Sequence, residues 1–148
     1  MRKINIIHVG GMKTSERYYH EAVEEYIKRL SQEFRIADIE IKETDLKTEG
    51  RQILEKTNHK AFKIALCVEG KKLSSEDFAE LIYRRGELCP SVDFFIGSSY
   101  GLSDEVKQSA DYPLSLSEMT FNHRLARVML MEQIYRAYAI ETGRKYHK

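Results

Sequence analysis

The sequence of 148 residues holds two cysteines, two prolines and no tryptophan. Cys67 and Cys89 lack metal-binding spacing, so we expect two free thiols in a reducing compartment. No apolar run approaches the roughly 18 residues that a membrane-spanning helix needs, and the apolar stretch near the amino terminus is too short for a secretion signal. Apolar and charged fractions of 42% and 32% are those of a globular chain. We therefore expect a cytoplasmic protein with one domain, residues 1–148.

Several motifs of common enzyme classes are also missing. There is no HExxH, no CxxC and no pair of carboxylates at ligand spacing, which argues against a catalytic metal. There is no GxSxG nucleophile elbow, which disfavours acyl transfer by a serine. Because a GxGxxG fingerprint is absent, a dinucleotide-dependent oxidoreductase has only the alternation of strands and helices in its favour. His8, His20 and His59 form no pattern with partners, and we expect them to be structural or exposed.

The chain does contain a regular alternation of strand and helix patterns. The second predicted strand alternates like an edge strand, whereas the third is a continuous apolar run typical of a strand covered on both faces. Ser74 is placed to cap the third helix, and Cys89-Pro90 to end it. The predicted strands are 4–9, 36–42, 62–68, 92–96 and 112–116, and the predicted helices are 15–33, 46–56, 74–89, a short one from 103, and 121–141. This order predicts a single α/β domain with a mostly parallel sheet.

Charge is balanced over the whole chain but uneven along it. The net charge is +1, which gives no general attraction to nucleic acid. From Asn122 onward, however, the basic residues Arg124, Arg127, Arg136, Arg144, Lys145 and Lys148 face only two acidic ones, Glu132 and Glu141. We expect a phosphate-bearing partner to meet this end of the chain first.

Three predicted strand ends carry unusual residues. Ligands of open parallel sheets bind beyond the carboxyl ends of the strands, and here those ends are 68–70, 96–98 and 116–120. The loop from Gly97 to Gly101 permits close approach of a ligand, although it could also be a plain turn. Ser117 or Thr120 could cap the helix that follows.

The last helix shows apolar and charged residues on all sides rather than one apolar stripe. Such a mixture suits a helix that is covered on two sides, one of them by another subunit. A core helix of a monomer with a few ion pairs is the alternative. We predict a homodimer.

Two stretches together resemble a known family. FFIGSSYGL, followed by YPLSLSEMTFNHRLARVMLMEQIYRAYAIETGRKYHK, is similar to the RlmH-type enzymes of the SPOUT methyltransferase superfamily, and KINIIHVGG and EEYIKRL also fit. The resemblance covers essentially the full length. It implies a single α/β domain with a deep C-terminal trefoil knot, an exception to the rule that chains are unknotted.

The resemblance also implies an activity. The family uses S-adenosylmethionine to methylate N3 of a pseudouridine in 23S ribosomal RNA of the large subunit. Its members are homodimers in which the C-terminal tail completes the active site. The implied cofactor contacts are Leu66, Gly97, Leu116, Ser117, Glu118, Met119, Thr120 and Phe121.

Roles in catalysis are hypotheses that follow from the implied reaction. His147 is the first candidate for proton acceptor or orienting group, and Tyr146 could contact the flipped base. Arg136 could stabilise charge on the uracil oxygens. His123 and Arg124 could hold phosphate. Lys145 and Lys148 are the further candidates for RNA contacts.

The sequence departs from the family at two positions. Most members have a second glycine where this chain has Ser98, and a proline where it has Lys145. Ser98 adds a Cβ to a loop next to the cofactor, which could lower affinity. It is the one feature that supports the alternative, a non-catalytic ribosome- or RNA-binding protein with a degenerate cofactor loop.

Overall fold

A computed structural model describes residues 2–10 and 16–147, in which strands and helices alternate as predicted. The third helix continues without a break into a π turn, Leu81–Arg85, and a 3₁₀ turn, Gly86–Leu88. The elements are β1 (Arg2–Val9), α1 (Arg17–Leu30), β2 (Phe34–Ile41), α2 (Leu46–Lys56), β3 (Phe62–Lys72), α3 (Ser75–Glu80), β4 (Val92–Ile96), α4 (Asp104–Ser109), β5 (Tyr112–Ser115) and α5 (His123–Thr142).

The five strands form one sheet in the order β2-β1-β4-β3-β5, and all neighbours are parallel. Successive strand residues point to opposite faces. Ile6 and Phe94 therefore join one core with α1, α3 and α5, whereas Ile7 and Phe95 join a second core with α2 and α4. This confirms the predicted α/β domain, with β2 at an edge and β3 inside the sheet.

The third strand is longer than predicted and carries a bulge. Its pairing with β5 shifts register between Leu66 and Lys71. Gly70 lies so close to β5 that a Cβ atom would meet the backbone nitrogen of Leu114 at 2.8 Å. The bulge turns residues 67–70 out of the ladder with β5, so the strand end that was expected to bear a site lies within the bulge.

The caps of the helices follow local side chains. Ser74 accepts from the Asp77 N–H and begins α3, as predicted. The prediction that Ser117 or Thr120 caps the last helix is wrong, because Asn122 accepts from the Leu125 N–H and begins α5 two residues later than Thr120. The predicted start of α1, at residue 15, lies outside the described residues.

The last helix has a buried stripe after all. Its buried side chains recur every three or four positions and face the sheet, while α1 and α3 pack on either side of it. The stripe was hidden in the sequence because it begins with a charged residue and includes alanines. Its members are Arg127, Leu130, Met131, Ile134, Ala137, Tyr138 and Ala139. The pattern on α5 is therefore explained within one chain, and the homodimer needs separate support.

A buried carboxylate lies near the amino end of β4. Asp93 is fully buried and accepts hydrogen bonds from the Asn5 amide (2.8 Å), the Ser91 hydroxyl (2.8 Å), the Thr57 hydroxyl (2.5 Å) and the Asn58 N–H (3.2 Å). These groups come from β1, the end of α2 and the start of β4. The network joins the sheet to the helix layer behind it, and all of its acceptor sites are used.

Two simple predictions can be checked against the described residues. Cys67 and Cys89 are free thiols and half-buried. Within the described ranges, no helix is long and apolar enough to cross a membrane.

Candidate functional site

The three unusual strand ends meet in one cavity of about 340 Å³. Its inner wall includes the buried residues Ile96 and Leu114, and its outer edge includes the exposed Val68, Tyr100 and Met119. A cavity of this size lies within the range of small-molecule sites. The residues that line it are Leu66–Glu69 of β3, Ile96–Gly101 after β4, Lys107, Leu114–Ser117 and Met119–Phe121 around β5, and His123 and Ala126 of α5.

The loop after β4 is held closed by its own backbone. Gly101 donates to the Ser98 carbonyl (2.9 Å) and has a positive φ of 82°. A Cβ atom on Gly97 would overlap the Gly101 carbonyl. Gly97 is therefore required by the tight turn itself. Ser98 is buried, and its hydroxyl accepts from the Tyr100 N–H at 3.3 Å, so its extra Cβ and hydroxyl are accommodated inside the loop.

The loop after β5 is also ordered by its own hydroxyl groups. The Ser115 hydroxyl donates to the Ser117 carbonyl (2.8 Å), and the Ser117 hydroxyl accepts from the Met119 N–H (3.0 Å). Glu118 points away from the cavity, and its carboxylate pairs with Lys72 at 2.7 Å. Any contact of Glu118 with a ligand of the cavity would thus come from its backbone.

Other cavities are of similar size. One of about 330 Å³ lies where α2 and α4 begin. One of about 500 Å³ lies at the amino end of the sheet near Arg2, Glu33 and Glu87, away from the strand ends where ligands of parallel sheets bind. Another, about 400 Å³, lies between α3 and α5 and shares the residues Leu114–Leu116 with the strand-end cavity. The strand-end cavity is therefore the candidate site, and the cleft between α3 and α5 adjoins it.

A charged cluster that the sequence did not indicate lies behind this site. Arg127 Nη1 lies 2.7 Å from His8 Nε2 and 3.2 Å from Asp38 Oδ2. His8 and Arg127 are buried, yet Nε and Nη2 of Arg127 have no partner among the described residues. His8 is therefore structural, one of the two expectations for it, although no sequence pattern indicated its partners. A charged residue on the buried stripe of α5 was the signal that a partner existed, because buried charges are paired.

His123 stands at the start of α5 and lines the cavity. Its Nε2 is buried, has no partner within residues 2–10 and 16–147, and faces Gly10, whose Cβ, if it had one, would lie 3.2 Å away. Burial, together with the charge of Arg124, lowers the pKa of His123. The imidazole is therefore neutral at neutral pH and retains a lone pair.

The C-terminal tail folds back on its own chain. The Tyr146 hydroxyl donates to Glu132 Oε1 (3.1 Å), and Arg136 binds the same oxygen through Nη2 at 2.6 Å. His147 Nδ1 lies 3.1 Å from Arg136 Nη1, and His147 Nε2 lies 2.5 Å from Glu76 Oε1. A guanidinium can only donate, so Nδ1 accepts and Nε2–H donates to the carboxylate. Both nitrogens of His147 are occupied.

The predicted site residues thus fall into two groups. All predicted cofactor residues except Glu118 line the strand-end cavity, and so does His123. Arg136 lies 13 residues further along α5, about 20 Å at a rise of 1.5 Å per residue. Tyr146 and His147 lie beside Arg136, so one chain does not bring the four predicted catalytic residues together.

The predicted RNA contacts are dispersed. Arg124 is largely buried and pairs with Glu16 at 3.2 Å. Lys145 is exposed, and Lys148 lies outside the described residues. Among the described side chains, no group of three His, Cys, Asp or Glu residues could hold a metal ion.

Comparison with known proteins identifies the family. Residues 2–147 match the family described as "Predicted SPOUT methyltransferase". The chain belongs to the SPOUT methyltransferases. Among curated SPOUT relatives, it is 44% identical to ribosomal RNA large subunit methyltransferase H of Caldicellulosiruptor bescii, over 98% of this chain and 99% of the relative. It is 41% identical to the protein of that name from Oenococcus oeni, over the full length of both chains.

Solved structures agree on the SPOUT fold. A probable methylase family protein from Haemophilus influenzae matches with a TM-score of 0.59 at 10% identity, over 97% of this chain and 67% of the other. The SpoU methyltransferase AviRb from Streptomyces viridochromogenes matches with a TM-score of 0.51 at 11% identity, over 95% of this chain and 61% of the other. At such identities the likeness concerns the fold alone.

Proposed function

We propose that this chain is an S-adenosylmethionine-dependent methyltransferase acting on N3 of a pseudouridine in 23S ribosomal RNA of the large subunit. The observation that carries the proposal is the meeting of three strand ends in one cavity, in a chain of the SPOUT family. Support for the RNA substrate comes from the relatives, which are named ribosomal RNA large subunit methyltransferase H. Such a substrate is found in the cytoplasm.

The cavity fits the cofactor in size and chemistry. Its inner wall is apolar, as adenine stacking requires, and its two loops are held in shape by their own hydrogen bonds. S-adenosylmethionine, when bound, supplies an electrophilic methyl group on a sulfonium. The residues that would hold it are Leu66 and Gly97, and, through side chain or backbone, Leu116, Ser117, Glu118, Met119, Thr120 and Phe121.

The protein has to position the RNA base and remove the proton from its N3 atom. N3 of a pseudouridine carries a proton and is a poor nucleophile until that proton is removed. His123 lines the cavity as a neutral imidazole, because its pKa is lowered. His147 can accept a proton only at Nδ1 and only after it leaves Arg136, since Nε2 already carries the proton that it donates to Glu76.

Catalysis would then require a second chain. Arg136, Tyr146 and His147 do not line the cavity of their own chain. Tyr146 and His147 instead contact Glu132, Arg136 and Glu76. They would therefore complete a site on a partner. We propose a homodimer in which the tail of one chain reaches the cavity of the other. In this arrangement Tyr146 would contact the flipped base, and Arg136 the uracil oxygens. Arg124, Lys145 and Lys148 would contact RNA phosphate.

We also propose that the C-terminal part forms the trefoil knot of the family. β5 lies at the sheet edge beyond β3, whereas α5 lies between α1 and α3. In the proposed knot, the connection from β5 to α5 would cross the connection from β3 to α3. Such a crossing is where a C-terminal segment would thread.

The test of the function is methyl transfer from labelled cofactor to large ribosomal subunits, with the modified nucleotide located by mass spectrometry. The full chain should label one pseudouridine. A chain truncated before Tyr146 should lose transfer yet bind S-adenosylhomocysteine as the full chain does. Transfer by the truncated chain at the normal rate would remove the tail from the mechanism.

Mixed dimers separate the two halves of the site. Leu116→Trp should fill the cavity while leaving its chain with a functional tail. The truncated chain keeps a functional cavity. Each variant alone should be inactive. In an equimolar mixture about half of the dimers contain one chain of each kind, and one of the two sites in such a dimer is complete. The mixture should therefore regain about a quarter of the activity of the unaltered protein. No recovery in a mixture shown to exchange subunits would contradict the shared site.

A non-catalytic RNA-binding protein is not favoured. Ser98 was the only support for a degenerate cofactor loop, and its hydroxyl bonds within that loop. Titration with S-adenosylmethionine distinguishes the two, since a chain with a degenerate loop would not bind it.

A further inference from the structure

An ion pair lies at the outer edge of the strand-end cavity. Glu69 is on the bulged part of β3, Lys107 is on α4, and the Lys107 ammonium donates to Glu69 Oε1 at 2.7 Å. Both residues line the cavity. The hydrogen bond between them lowers the pKa of Glu69 and raises that of Lys107. Both side chains are therefore charged at neutral pH.

This pair, which we call the rim pair, contributes little to folding. The side chains of Lys107 and Glu69 are 34% and 63% exposed, and water screens the attraction between exposed charges. The two charges can thus exchange one partner for another at small cost. That property suits groups that bind a charged ligand.

The cavity is polarised from its inner wall to its edge. Ile96 and Leu114 make the inner wall buried and apolar, whereas the rim pair makes the edge charged and hydrated. A ligand that fits both parts has an apolar, planar end and an end that carries two opposite charges. Burying those charges against the inner wall would be costly, so they belong at the edge.

We propose that the rim pair binds the α-amino acid end of the cofactor, with Lys107 bound to the carboxylate and Glu69 to the ammonium group. The inference rests on the proposed function, because it assumes that the cofactor occupies this cavity. An amino acid presents a carboxylate and an ammonium group on one carbon, which matches two adjacent opposite charges supplied by separate elements. One protein ion pair is replaced by two with the ligand.

A second ion pair of the same length provides a matched control. Lys72 Nζ lies 2.7 Å from Glu118 Oε1, but the side chains are 52% and 83% exposed and neither residue lines the cavity. Lys72→Met removes the same charge as Lys107→Met from a neighbouring part of the surface. A general electrostatic effect would appear in both variants, whereas a binding contact would appear only in Lys107→Met.

The test is calorimetric titration with two probes. S-adenosylhomocysteine carries the amino acid end, and 5′-methylthioadenosine lacks it. Lys107→Met and Glu69→Gln should each weaken S-adenosylhomocysteine binding by about tenfold or more, as expected for loss of a charge-assisted contact. Binding of 5′-methylthioadenosine should change less than about twofold. Lys72→Met should change neither.

The outcomes separate this proposal from the proposed function. If the unaltered chain binds neither probe, the cofactor assignment fails. If it binds both and Lys107→Met leaves S-adenosylhomocysteine affinity unchanged, the rim pair is not the amino acid site. If Lys107→Met weakens the binding of both probes equally, Lys107 maintains the shape of the cavity and does not bind the amino acid end. Weaker binding of ribosomal subunits with unchanged cofactor affinity would assign it to the RNA surface.

Discussion

At the amino end of the sheet the carboxylate of Asp93 accepts four hydrogen bonds. At the carboxyl end, two nitrogens of Arg127 have no partner in the part of the chain that the structure describes. Both side chains are buried. An acceptor whose sites are all used stabilises the fold, and an incompletely paired guanidinium reduces the gain from its own burial. The buried polar network at the amino end of the sheet therefore stabilises the fold. The buried charged cluster at the carboxyl end, next to the candidate site, stabilises it less.

The largest effect expected from this comparison is that of Asp93→Ala. The substitution leaves the donors of Asn5, Thr57 and Ser91 without their acceptor, and we expect a loss of about 3–5 kcal/mol in the free energy of unfolding. Urea denaturation followed by circular dichroism measures it. The control is Asp111→Ala, which removes an exposed acceptor of the Lys63 N–H (2.9 Å) and should cost less than about 1 kcal/mol. Equal losses would mean that the buried network around Asp93 stabilises the fold no more than an exposed hydrogen bond does.

Arg127→Met should have a smaller effect. It leaves Asp38 without its cation, but it also removes two unpaired donors from the interior, so we expect a loss of about 2–3 kcal/mol. In the double variant Arg127→Met/Asp38→Asn, at least half of this loss should be recovered, because no unpaired charge remains. The same denaturation measurement applies. A loss in Arg127→Met as large as that in Asp93→Ala would remove the contrast between the two ends.

The smallest effect expected is a pH dependence at the carboxyl end. Burial alone would raise the pKa of Asp38, but contact with His8 and the charge of Arg127 bring it below its ordinary value. A carboxyl with a depressed pKa stabilises the fold above its unfolded pKa, about 3.9. This stabilisation is lost as the pH falls through the folded value. Urea midpoints measured from pH 6 downward should therefore fall less steeply for Asp38→Asn than for the unaltered chain.

Local patterns were enough to predict most of the elements. α2 runs over the predicted residues, 46–56, because Asp45 caps it and its apolar spacing is regular. Ser74 and Ser103 cap α3 and α4 for the same reason. The bulge in β3 was not predictable, since it depends on contact between Gly70 and the backbone of β5, more than 40 residues away.

The site was predicted in part. Position at the strand ends indicated the cavity that is the candidate site, and the family resemblance named the ligand that we propose for it. Neither indicated the pairing of Glu69 with Lys107 or that of His8 and Asp38 with Arg127. Each of these pairings joins elements that are distant in the chain, and no spacing rule relates them.

The sequence by itself determined the α/β class, the parallel sheet, the ends of the strands that carry the site and the family. Those features follow from hydrophobic period, turn residues and motifs, which act over a few neighbouring residues. Only the tertiary structure decided which charges meet, where buried donors stay unpaired among the described residues, and that the tail contacts Arg136 and Glu76 rather than its own cavity. These are properties of packing, because they depend on how the helices and strands approach one another in space.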